Sequence, residues 1–75
     1  MRPAVGSLVL PARNNTYLDP LSYSRSVTNI AWCPGELGII LVVEPEFGIN
    51  VDMWLTLLVP RGIGYCLSSE VRLVD

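Results

Sequence analysis

The sequence predicts an all-β domain, a small closed barrel of about five strands. Three observations predict it. Five branched apolar residues, Ile39, Ile40, Leu41, Val42 and Val43, stand in a row between Gly38 and the Glu44-Pro45 pair. Across residues 51–59 apolar side chains recur at every second position. Tight-turn residues then separate these runs from their neighbours, as at Pro60-Arg61-Gly62. β-Branched side chains are stiff at χ1 and suit a pleated surface, whereas no segment keeps a helical period.

Residues 5–12 read as the first strand. Leu8, Val9 and Leu10 form its apolar centre, and Pro11 ends the pairing because it has no N–H to give. Residues 13–35 read as a long loop, rich in Asn, Ser, Thr, Asp and Pro. They also carry Tyr17, Leu18, Leu21, Tyr23, Val27, Ile30 and Trp32. Disordered segments are poor in aromatics, so the loop is expected to be ordered against the barrel or a partner, with room for a short strand over 26–32.

Residues 37–44 form the strand around which the chain is organised. A strand apolar at successive positions is expected to be buried on both faces and central in the sheet. Residues 44–50 make a turn in which Gly48 and Asn50 accept positive φ. In the next strand Val51, Met53, Leu55, Leu57 and Val59 share one face. Asp52, Trp54, Thr56 and Leu58 share the other, a mixed face that is expected to be partly exposed. Residues 63–67 form a strand, and Ser68-Ser69-Glu70-Val71 one helical turn, since serine and a nearby carboxylate suit free N–H groups at a helix start. Arg72, Leu73 and Val74 end the chain as a short strand.

A chain of 75 residues is one domain, residues 1–75. It buries only about 60% of the surface its unfolded chain exposes. Its hydrophobic fraction, 51%, is high for that size. Two readings stand side by side: a well-filled core with scattered exposed apolar residues, or an apolar surface that meets a partner. The net charge is −2, lysine is absent, and the five arginines are dispersed. Nucleic-acid binding needs clustered positive charge, so it is not favoured. Histidine is absent, and Cys33 and Cys66 make no CxxC motif. No metal or cofactor is expected, and the cysteines read as reduced thiols. No signal-peptide pattern opens the chain, and no apolar run reaches the roughly 20 residues that span a bilayer. Asn14-Asn15-Thr16 matches a glycosylation sequon and is read as chance.

Three segments carry a likeness to a known fold family. They are Val5-Gly6-Ser7-Leu8-Val9-Leu10, Gly35-Glu36-Leu37-Gly38-Ile39-Ile40-Leu41 and the stretch from Gly64-Tyr65-Cys66 to Arg72-Leu73-Val74. The order resembles an SH3-like barrel, which implies a long RT-type loop over 13–35 and one helical turn before the last strand. It is similar to the small SH3-like proteins of tailed bacteriophages and, more loosely, to KOW-type modules. The Ala-Leu-Tyr-Asp-Tyr segment and paired tryptophan with which eukaryotic SH3 domains bind proline-rich peptides are missing, so that recognition is not implied. KOW-type modules are usually basic and this chain is acidic. Fold alone does not imply function.

Tyr17, Tyr23, Trp32 and Trp54 are the candidate protein-interface residues, because large amphipathic rings dominate interface energetics. The competing reading is that they cap the open ends of the barrel, as does Tyr65. Glu44, Glu46 and Asp52 read as a solvated turn rather than an acid–base or cation site. Ser68-Ser69-Glu70 has no base to activate a nucleophile and reads as a cap.

The expected function is therefore non-enzymatic: a protein–protein interaction or structural module, of the kind found as phage virion or accessory proteins, in the virion or host cytoplasm. A protein partner or self-association is expected, with no membrane insertion. Two alternatives remain: a nucleic-acid-binding barrel, should Arg13, Arg25, Arg61 and Arg72 converge, and a docking subunit of an electron-transfer or photosynthetic complex, whose acidic residues would meet a basic partner.

Overall fold

The computed structural model describes residues 3–14, 16–21, 29–45 and 52–74. The branched run becomes the longest strand, β4 (Gly38–Pro45), numbered in chain order after β1 (Leu8–Pro11), β2 (Thr16–Pro20) and β3 (Ile30–Trp32). β5 (Met53–Val59), β6 (Gly62–Leu67), a 3₁₀ turn at Ser68–Glu70 and β7 (Val71–Leu73) follow. The strands form one sheet in the order β3-β2-β6-β5-β4-β1-β7, with every neighbour antiparallel. The sheet curls into a half-barrel, so the all-β, barrel-like fold with one helical turn before the last strand is what the chain adopts.

Seven strands replace the expected five or so. The two extra ones, β2 and β3, come from the segment read as a long loop. Turn formers mask a period-two pattern there: Thr16, Leu18 and Pro20 point inward and are buried, while Tyr17 points outward. The described part of the 26–32 strand is β3; the turn over 46–50 lies outside the described residues.

The core gathers on the concave side from Val9, Leu18, Trp32, Ile40, Leu55, Leu57, Val59 and Cys66. Each fully buried aliphatic side chain there contributes about 2 kcal/mol. Leu55, Leu57 and Val59 face inward as the alternation predicts, with Met53 partly buried, while Trp54 is half-buried on the other face. Trp32 reaches across the curl because Gly38 leaves it room. A Cβ at Gly38 would stand 3.1 Å from the indole Cζ2, 3.2 Å from Val59 and 3.3 Å from Val9. The indole Nε1–H donates to the Glu36 carbonyl at 2.9 Å, so its polar edge is satisfied.

β4 departs from the expectation of burial on both faces. Ile40 is wholly buried, but Ile39 and Val42 are 38% and 43% exposed. Its outer face is not covered among the described residues, and β5, not β4, is the middle strand. A bulge between Ile40 and Val42 shifts the register against β5 by one residue.

Candidate protein-docking groove

Two hairpins and one long-range pairing build a groove on the convex face. The β4–β5 hairpin sets Glu44 opposite Trp54. The two-residue Pro60–Arg61 turn between β5 and β6 fixes Val59 opposite Gly62, and from there Thr56 falls opposite Tyr65. β2 then lies along β6 and sets Asp19 opposite Tyr65 and Pro20 opposite Gly64. Gly64 makes that approach possible: a Cβ there would stand 2.7 Å from Leu18 Cβ and 2.8 Å from the Asp19 carbonyl. Cross-strand partners project to the same face, so Trp54 and Tyr65 become diagonal neighbours on the surface.

The result is an open groove of about 370 Å³ lined by Asp19, Pro20, Leu21, Glu44, Trp54 and Tyr65. Trp54 and Tyr65 supply the aromatic floor, and Asp19 and Glu44 stand toward opposite sides. β5 and β6 separate the strands of the two carboxylates, which puts them three strand spacings, roughly 14 Å, apart across the sheet. The Ser68 hydroxyl anchors the start of β5 beside Trp54. It donates to Asp52 Oδ1 at 3.2 Å and accepts from the Met53 N–H at 3.0 Å. Ser68 thus works across to β5 and does not cap its own turn, where no side-chain cap forms.

The expected interface residues divide between two places: Tyr17 and Trp32 line one small hollow, and Trp54 lines the groove. Trp54 lies in the groove. Trp32 is 1% exposed and belongs to the core, so its ring presents no surface to a partner. Tyr17 is 58% exposed on β2, outward like Asp19 two residues on, but it lines a separate hollow of about 40 Å³. Tyr23 lies outside the described residues. Glu44 leaves the solvated turn for the groove, and Glu46 lies outside the described residues. Asp19 escaped notice in the sequence because only a long-range pairing brings it to Tyr65. Tyr65 was within reach: a two-residue turn at Pro60–Arg61 counts it to the mixed face opposite Thr56.

The other charged groups are spoken for or apart. Arg61 pairs with Glu36 and so closes the Cys33–Glu36 turn, where the Cys33 N–H donates to the Glu36 carboxylate at 2.7 Å. The Cys33 N–H and the Arg61 guanidinium hold the Glu36 carboxyl below its ordinary value. Arg25 lies outside the described residues, so the four arginines are not seen to converge. Cys33 and Cys66 are free thiols, one exposed and one buried. Among the described residues no three His, Cys, Asp or Glu side chains gather to hold a metal ion, and no helix is long and apolar enough to cross a membrane. Comparison with known proteins found no matching family model, no matching curated protein and no matching solved structure.

Proposed function

We propose that the chain is a non-enzymatic protein-interaction module whose groove takes an extended basic segment of a partner protein. The observation that carries the reading is the aromatic floor of Trp54 and Tyr65 set between two carboxylates. A guanidinium or ammonium over an aromatic face gains about 0.5–2 kcal/mol. An exposed ion pair adds roughly 0.2–1 kcal/mol. Arginines four residues apart on an extended strand stand about 13 Å apart, which matches the separation of Asp19 and Glu44 across the sheet. The acidic net charge favours encounter with such a partner. The likeness to small SH3-like proteins of tailed bacteriophages gives this role its setting, a virion or accessory component.

The test is a titration of the chain with an unstructured peptide bearing two arginines four residues apart, followed by tryptophan fluorescence. Binding on the order of 100 µM at low salt is expected, from a few kcal/mol of contacts. It should weaken as salt rises, and Trp54→Ala or the Asp19→Asn, Glu44→Gln pair should weaken it by about two- to thirtyfold. Binding equal in the wild type and these variants sinks the reading.

A further inference from the structure

Each ring in the groove has a carboxylate as its direct cross-strand partner. Glu44 on β4 stands opposite Trp54 on β5, and Asp19 on β2 stands opposite Tyr65 on β6. Directly opposed residues project to one face with Cβ atoms about 5 Å apart. The groove is therefore two couples of the same make, each a carboxylate beside an aromatic ring. Thr56 lies opposite Tyr65 and two residues beyond Trp54, which staggers the couples by two residues along the strands. Across the sheet their centres are two strand spacings apart, so about 12 Å separates them. The ion pair between Arg61 and Glu36 draws on neither carboxylate.

We infer, resting on the groove reading, that the groove selects arginine over lysine, with one guanidinium flat on each ring and its N–H edge turned to the carboxylate beside it. A ring and a carboxylate side by side ask two things of one cation, a flat face and directed donors. Guanidinium is planar and weakly hydrated, and it holds five N–H donors in a fixed fork, so it stacks and donates at the same time. It meets a carboxylate through two parallel hydrogen bonds. An ammonium is a compact, strongly hydrated point charge. It offers no plane to stack and gives up more water to reach the ring. Both cations carry the same charge, so attraction to the carboxylates gives no preference by itself; the preference comes from shape. The apolar stem of either residue runs over Leu21, half exposed in the same groove, and does not discriminate. A separation of about 12 Å suits two arginines four residues apart on an extended segment, which stand about 13 Å apart. One segment thus fills both couples, and the preferences of the two multiply.

Peptides of one length test this, alike except at two positions four residues apart that hold two arginines, two lysines, or one of each. Each is titrated into the chain at the same low salt and followed by tryptophan fluorescence. The arginine peptide should bind about tenfold more tightly than the lysine peptide, with the mixed peptides between them, from about threefold at each couple. Glu44→Gln and Asp19→Asn keep the side-chain shape and remove the charge of one couple. Each should cut the ratio to about threefold, the share of the couple that remains. Circular dichroism establishes that each variant is folded. Equal affinity for the arginine and lysine peptides overturns this inference alone, because both still bind the groove. A ratio unchanged in both variants overturns it as well. Binding of none of the peptides overturns it together with the groove reading.

Discussion

Cys66 shows how the curl of the sheet acts on a single group. It faces the core between strands, and burial pushes its thiol up to about 12, with the carboxylates of Glu70 and Asp19 adding to the rise. The unfolded thiol ionises near 8.5. A folded value raised above the unfolded one means that the stability from keeping Cys66 protonated is complete below about pH 8.5 and is lost as pH rises toward 12. Urea midpoints should therefore fall steadily above about pH 9 in the wild type and less in Cys66→Ala, compared with each variant's own midpoint at pH 7. Equal slopes would place the alkaline loss elsewhere. The two tryptophans mark how far such environments are legible beforehand. Both looked like interface rings. Trp54 is at the surface because it follows the alternation of β5, which residues 51–59 display. Trp32 is in the core because Gly38, six residues on, leaves a gap that its indole fills together with Val59 and Val9, and that packing across the curl has no local signature.

Local pairing explains which elements could be read and which could not. β5, β6, the 3₁₀ turn and β7 follow from alternation and turn chemistry within a few residues. β2 does not, and β3 shows only as the end of the short strand allowed over 26–32, because both acquire their partners only when the sheet assembles. The outward face of β4 was also hidden: five branched residues in a row look alike whether or not a second layer covers them. The bulge in that row makes a prediction. Ile40 pairs with Leu57 and Val42 with Thr56, so Leu41 is the residue left over. Deleting Leu41 keeps every inward side chain inward and should lower Tm by less than about 8 °C. Deleting Leu57 from β5, paired on both sides, moves one half of the strand to the wrong face and should abolish cooperative unfolding. Thermal melts followed by circular dichroism distinguish the two, and equal loss in both would mean that the bulge is an obligatory part of the curl.

For the whole molecule, the curl concentrates burial on one side and leaves the convex face to do its work. That face carries an acidic aromatic groove and, beside it, a row of exposed aliphatic residues, Leu8, Ile39, Leu58 and Ile63. The outer edge of β1 is covered by β7. Val71, Arg72 and Leu73 pair with Pro11, Leu10 and Val9. The chain cut after Glu70 should therefore lose its cooperative thermal transition, although it keeps most of its core residues; an unchanged transition would show β7 to be dispensable. The same pairing orders events during synthesis. The β4–β5 and β5–β6 hairpins can form as they leave the ribosome, but β1, made first, keeps one edge unpaired until residues 71–73 emerge. Until then the nascent chain displays an open strand edge beside its apolar row. Residues 71–73 thus cover an edge of β1 that would otherwise stay open to pairing with another chain.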